Sequence, residues 1–462
     1  MRRRTAFIWI LTGLMALSLL AIHTAEAAED PYLKAKAQAY FDYAQAYATT
    51  GLGGVSEQLF TDDTLATLER LRGTGDSTIW TGMYVAAQSL RYAATGEAQA
   101  KTEAARIARY LHTVKAITDT PGYVGRYAAP NQAFWRQEYP DTHDRLYFGT
   151  GDYAGLFWIG DTSRDQYTGW WLGMSMAHEF LGDEDLNAVI EADMRDVIDT
   201  LIDNDWKIVD NNGDVDGNGA ARVGYPLRLA WLIMAWSATG EQDYLDLFHD
   251  IFAERKDKLW LDVFSWTNKY AEYFAFNLSH NTFLQLMRLT PDCETHAFLT
   301  ELYEKKIYKH VKETHNAWYD SVYLVGCRIG GTCGNRQFQK VADDVYQTLT
   351  EFWDAPNQAF QVVQTADYEL DPISVWWQDL EDQYPFLREV WNINPQAKEP
   401  FPFTQKCWSD MTWQRSPYQI NCPYEEARRV GPGVDYMIAY WTAVHAGAVP
   451  GPGPLVEEMA CN

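Results

Sequence analysis

The strongest constraint on this chain is one helical hairpin that recurs four times. The segments "SLRYAATGEAQAKTEAARIARYL", "MAHEFLGDEDLNAVIEADMRDVI", "LIMAWSATGEQDYLDLFHDIFAE" and "FLQLMRLTPDCETHAFLTELYEK" share one plan. Each runs an apolar helix into a break at Gly96, Gly182, Gly240 or Pro291, then an acidic residue, then a second helix. Glycine suits a left-handed C-cap, and Asp or Glu at the next helix start meets the positive end of the helix dipole. The first helices (Trp80 to Tyr92, Trp170 to Phe180, Leu229 to Trp236, Phe274 to Leu289) are apolar nearly all round, so they need burial on all sides. The second ones, such as Ala104 to Val114 and Leu186 to Leu201, carry one apolar stripe and a charged face. An inner ring of buried helices inside an outer ring of amphipathic ones satisfies both. The expected fold is therefore all-α, an α/α toroid with a loop-rich, disulfide-bearing C-terminal part; a plain α-solenoid is the alternative. Tyr40 to Gly51 and Asp435 to Gly447 are candidates for further inner helices. The 19 Trp and 28 Tyr favour a toroid with an aromatic cleft, because sugar rings stack their C–H faces on such side chains.

The N-terminus reads as a cleaved secretory signal over residues 1–27. Arg2, Arg3 and Arg4 form a basic start, Ala6 to Ile22 an apolar run, and Ala25-Glu26-Ala27 a small-x-small cleavage site. The apolar run is short for a membrane span. With no linker or charge block dividing the rest, residues 28–450 are expected to form a single domain, followed by a tail over 451–462. Losing Arg2, Arg3, Arg4 and Glu26 takes the formal charge from −25 to −27. So acidic a protein excludes nucleic acid and anionic membrane as general electrostatic partners. All six cysteines follow residue 290. In an oxidising compartment they read as disulfides: Cys327–Cys333, Cys407–Cys422 and, by elimination, Cys293–Cys461.

The connection into each inner helix is long, and in a toroid these loops converge on the mouth of the ring, where function usually lives. The residues placed there are Asp76 and Trp80; Asp161, Arg164, Asp165, Gln166 and Tyr167; Arg222, Tyr225 and Arg228; Asn277, His280 and Asn281; His315, Asn316, Tyr319 and Asp320; and Arg428, Arg429, Asp435 and Tyr436. Plain structural roles compete with function. Asp76, Ser77 and Ser163 fit N-caps, and Arg164 with Asp165 fits a structural ion pair. Two chemistries suit the set. β-Elimination on a uronic acid needs the carboxylate neutralised, a base for the α-proton and an acid for the leaving oxygen. His280 or His315 would be the base and Tyr167 or Tyr319 the acid, with Asn281, Asn316 and Arg164 holding the carboxylate. Trp80, Gln166, Arg222 and Tyr225 are further candidate substrate contacts. Hydrolysis needs two carboxyl groups flanking the bond, and Asp165 with Asp76 or Asp320 would supply them. Separately, Asp214, Asp216, Asn218 and Gly219 match D-x-D-x-N-G, the start of a calcium loop, although Tyr225 replaces the closing Glu. A metal-free Asn/Gly turn pair is the other reading. No organic cofactor is expected.

The strings "STIWTGMYVAAQSLRYAATGE", "PGYVGRYA", "DTSRDQYTGWWLGMSMAHEF", "FNLSHNTFLQLMRL" and "THNAWYDSVY" resemble a group of secreted bacterial α/α-toroid proteins. That group is similar in architecture to toroidal polysaccharide lyases and toroidal glycoside hydrolases. The resemblance covers roughly residues 75 to 325, fades past Val325, and implies the fold and carbohydrate chemistry without carrying over any catalytic residue. The resulting expectation is a secreted or periplasmic enzyme cleaving an oligo- or polysaccharide, with uronate elimination the favoured mechanism. Glycoside hydrolysis in the same cleft is the alternative, and a non-catalytic glycan-binding toroid a further one.

Overall fold

The computed structural model describes residues 30–462 except 50, 217–221, 265–269, 271–272, 391–392, 424–425, 453–455, 457–458 and 460–462. The expected signal segment over residues 1–27, Asn218 and Cys461 thus lie outside the described residues. The chain is mostly helical. The longer helices are α1 (Pro31–Tyr43), α2 (Ser77–Thr95), α3 (Ala98–Ala116), α4 (Arg164–Leu181), α5 (Glu184–Asp203), α6 (Tyr225–Thr239), α7 (Gln242–Arg255), α8 (Phe274–Leu289), α9 (Cys293–Lys306), α10 (Ala317–Gly330), α11 (Asn335–Glu351), α12 (Pro372–Gln383) and α13 (Val434–Ala446).

The hairpin breaks form as expected. Gly96, Gly182 and Gly240 close α2, α4 and α6 in the left-handed conformation. Asp183 and Asp292 then cap α5 and α9 by accepting from Leu186 N and Thr295 N. The two helices of a unit differ in burial as their composition requires. Every residue of α2 from Ser77 to Arg91 is buried. By contrast, α11 buries only the stripe Val341, Ala342, Val345, Thr348 and Leu349. The six apolar helices among the described residues pack in sequence: α2 on α4, α4 on α6, α6 on α8, α8 on α10, α10 on α13, and α13 back on α2. The amphipathic helices lie against this set, α3 on α2 and α4, α5 on α4 and α6, α7 on α6, α9 on α8 and α10, α11 on α10 and α13, and α1 on α13.

The tightest of these contacts joins α2 to α4. A Cβ on Gly82 would stand 1.7 Å from Gly169 O, and one on Gly169 would stand 2.3 Å from Ile79 Cα. Only glycine lets the two backbones approach so closely. This fixes the relative position of the two helix starts, where Asp76 and Asp165 sit.

Two expectations need amendment. The chain is not purely α: two small three-stranded antiparallel sheets lie in the long connections. One orders β2 (Leu68–Arg72), β1 (Glu57–Phe60) and β6 (Arg429–Val430), and the other β3 (Tyr127–Pro130), β5 (Leu156–Ile159) and β4 (Leu146–Phe148). Loops this long carry backbone polar groups that need partners, and short ladders supply them. The segment from Tyr40 to Gly51 does not supply an inner helix. It is the end of α1 and a π turn over Ala44–Ala48, packed against α13 with Tyr40 stacked on Tyr436 at 5.1 Å. Asp435 to Gly447 does form an apolar helix of the closed set. Of the expected disulfides, Cys327–Cys333 and Cys407–Cys422 are bonded, and Cys293 is disulfide-bonded while its expected partner Cys461 lies outside the described residues. No helix among the described residues is long and apolar enough to cross a membrane.

Candidate functional site

Two adjoining cavities, of ≈ 430 and ≈ 380 Å³, share Asp76, Asp165, Phe274 and Leu278 in their walls and form one cleft. The starts of four apolar helices line it, α6 through Leu227 alone. The α2 end contributes Asp76, Ile79 and Trp80; the α4 end Ser163, Arg164 and Asp165; the α8 end Tyr273, Phe274, Asn277 and Leu278. The opposite wall is Ser409, Asp410, Gln414, Arg415, Ser416 and Gln419, all inside the loop closed by Cys407–Cys422.

Asp76 does not use its side chain as an N-cap. Its carboxylate accepts from Gln166 Nε2 at 3.2 Å and faces Arg126 Nη1 at 3.5 Å. Gln166 also accepts from Ile79 N, so one amide ties the α2 start to α4. Arg126 donates to Asp161 O and Gly75 O and clamps the two loops from the other side. Burial by the cleft walls, and next the charge of Asp165, push the Asp76 carboxyl up to about 6 against the pull of Arg126. Its side chain remains 55 % exposed toward the cleft. The open side screens the charge, so the shift bears on a protonation state and not on folding energy. Asp165 and Arg164, a candidate ion pair by sequence, have no hydrogen-bond or ion-pair partner for their side chains among the described residues.

The loop wall carries the Asp410 carboxyl, and further carboxyls lie beyond it. Asp410 accepts from Ser409 Oγ at 2.9 Å. Burial, then the neighbouring Asp410, raise Glu57 to about 8 against the guanidinium of Arg429. Asp435, fully buried, is raised to about 7 by burial while accepting from Thr412 N and Tyr436 N.

The other residues singled out by sequence are distributed elsewhere. His280 is sealed in the core, donating from Nδ1 to Phe276 O at 2.6 Å and stacked on Tyr319 at 3.8 Å; burial lowers its pKa to about 3. Tyr167 donates to Gly122 O, and Tyr319 to Trp413 O. Asn316 caps α10 through Tyr319 N and donates to Trp413 O, so it and Tyr319 hold the 407–422 loop. Asn281 points its amide at Met83 Sδ. His315 binds Asp344 at 2.6 Å beside a separate cavity of ≈ 910 Å³, which Asp320 also lines. Asp320 accepts from Tyr308 and is raised by burial. Arg222 pairs with Asp205, and Tyr225 lies beneath the guanidiniums of Arg228 and Arg255. Asp216 accepts from Tyr123 OH and Thr162 N, while Asp214 is exposed.

Thus Asp76, Asp165, Arg164 and Trp80 come together, and Gln166 supports them. Sequence reasoning missed Arg126, Tyr273, Asp410 and Arg415. The cysteines flanking "CWSDMTWQRSPYQINC" announced a closed loop, but nothing local announced that it covers the cleft. Compared with protein-family models, curated proteins and solved structures, the chain matches none.

Proposed function

We propose that this protein is an exported α/α toroid that hydrolyses glycosidic bonds in the cleft at the Asp76–Asp165 wall. The cyclic packing of the six apolar helices supports the toroid. The N-terminal signal pattern and the disulfides support export.

The observation that carries the reading is two carboxyls on one cleft wall in unlike settings. Asp76 is pushed up to about 6 and is the general acid, protonating the leaving oxygen. Asp165 is the second carboxyl, acting on water or on the anomeric carbon. Phe274, 38 % exposed in the cleft wall, offers a face on which a sugar ring stacks. β-Elimination at this cleft draws less support, because His280 is enclosed, His315 pairs with Asp344 beside a separate cavity, and Tyr167 and Tyr319 direct their hydroxyls to backbone carbonyls.

The test is a panel of neutral and uronate-rich polysaccharides, read for reducing ends and for the ultraviolet absorbance of an unsaturated uronate. Reducing ends without absorbance are expected. Asp76→Asn and Asp165→Asn should each lower turnover by about a hundredfold or more with little change in melting temperature. Absorbance rising with reducing ends would replace hydrolysis by elimination. Separately, the D-x-D-x-N-G pattern supports calcium binding at Asp214; titration calorimetry of the protein and its Asp214→Asn variant tests it.

A further inference from the structure

The cleft holds two guanidiniums without partners among the described residues. Arg415 lines one cavity and Arg164 the other, and the two cavities meet at Asp76 and Asp165. Both side chains are half-buried, and neither has a hydrogen bond or ion pair among the described residues. Several other enclosed arginines are held within the fold, although Arg70 and Arg72 on β2, outside the cleft walls, are likewise half-buried without a partner among the described residues. Arg91 is held by Glu97, Arg126 by Gly75 O and Asp161 O, Arg288 by Glu179, and Arg328 by Ala446 O. Enclosing a guanidinium without a partner is costly unless an anion arrives to pair with it.

Local charge agrees. The whole chain carries 63 acidic residues against 38 Lys and Arg. The walls of the two cavities carry Asp76, Asp165 and Asp410 against Arg126, Arg164 and Arg415. This cleft is thus charge-balanced in a strongly acidic molecule. Once Asp76 holds its proton, the arginines outnumber the carboxylates.

We propose that the cleft takes an acidic glycan, whose anionic sugars are bound by Arg415 and Arg164 on either side of the Asp76–Asp165 pair. This rests on the hydrolytic reading for the place of cleavage, but the recognition stands on the arginines. The favoured anion is a carboxylate, since a planar guanidinium fork matches it in bidentate fashion; a sulfate ester shares that chemistry. Two anion sites flanking one bond would select a polymer carrying acidic units on both sides of the cut.

Binding and cleavage are measured separately. The full-length mature protein carrying Asp165→Asn is titrated calorimetrically with short oligosaccharides of galacturonic, glucuronic and mannuronic acid. The carboxyl-reduced form of each and a sulfated neutral galactan oligomer are titrated alongside. At least one acidic oligomer is expected to bind about tenfold or more tightly than its reduced form, the size of one charge-assisted hydrogen bond. Adding Arg415→Gln or Arg164→Gln should cut that acid-over-neutral preference about tenfold, and Arg415→Lys should restore part of it. Melting temperature checks folding, and neither replacement strands a partner. Equal binding of acidic and reduced forms, no binding of any acidic oligomer, or a preference untouched by both Arg→Gln changes overturns the proposal. Tighter binding of the sulfated oligomer keeps the anion sites and moves the source to sulfate. Acidic oligomers that bind but are never cleaved by the wild type leave recognition standing and remove hydrolysis.

Discussion

Asp76, open to the cleft, and His280, sealed in the core, are both driven toward their neutral forms, with opposite consequences. For Asp76, crowding by the cleft favours the neutral acid, and a general acid must carry its proton. Activity attributable to it is therefore present below about pH 6 and lost as pH rises through that value. A profile of kcat/KM against pH should show this basic limb, and residual turnover in Asp76→Asn should lack it. For His280, burial also favours the neutral form, but here neutral means deprotonated. The unfolded chain takes up a proton below about pH 6.5, whereas the folded ring resists until about 3. The unfolded state thus binds more protons in that window, so the histidine removes stability as pH falls from 6.5 toward 3. His280→Phe should keep the ring contact with Tyr319 and regain stability on acidification. Relative to the wild type the gain is about 3 kcal/mol between pH 7 and pH 4, checked by denaturant unfolding at the two values. His280→Ala should cost about 3 kcal/mol at pH 7 by leaving a cavity.

At the scale of elements, the α2–α4 contact decides where the two candidate carboxyls stand. Gly82 and Gly169 meet backbone to backbone, and Gly173 approaches Gly82 as well. An added methyl at Gly169 meets Ile79 backbone and has no flexible side chain to displace. Gly169→Ala is expected to cost about 1–3 kcal/mol or more and to lower activity beyond what the melting temperature explains, because the helix starts move apart. Thermal unfolding and turnover measured on one preparation separate the two effects. The α4 sequence "TGWWLGM" was legible as a buried helix from its apolar run. That its glycines form a seam was not, because close approach is a property of two segments and neither carries it alone.

For the molecule as a whole, the cleft depends on a segment far along the chain. The loop between Cys407 and Cys422 forms one wall, and several ties hold it over the helix starts. Lys406 Nζ donates to Thr314 O and His315 O, Asn316 and Tyr319 donate to Trp413 O, and Trp413 donates to Asp435 O. Replacing both cysteines by serine (Cys407→Ser with Cys422→Ser) removes a cross-link whose residues are separated by 15 positions, worth about 3 kcal/mol in loop-closure terms. We expect oligosaccharide binding to fall while the far-ultraviolet helical signal persists. Hydrogen exchange should show protection lost in 407–422 before the buried apolar helices.

The sequence by itself determined the recurring hairpins, the split between wholly apolar and one-faced helices, the glycine stops and two disulfides. These follow from local chemistry: periodicity sets which face is buried, and a left-handed cap needs glycine. It also pointed to Asp76, Asp165 and Arg164 as residues at helix starts. Tertiary structure decided which of the polar residues share a cleft. It enclosed His280, turned Asn316 and Tyr319 into ties for a loop, and placed Asp410 and Arg415 across the cleft from Asp76 and Asp165. The reason is physical: a polar group becomes a site only through what surrounds it, and here those surroundings come from segments more than two hundred residues apart.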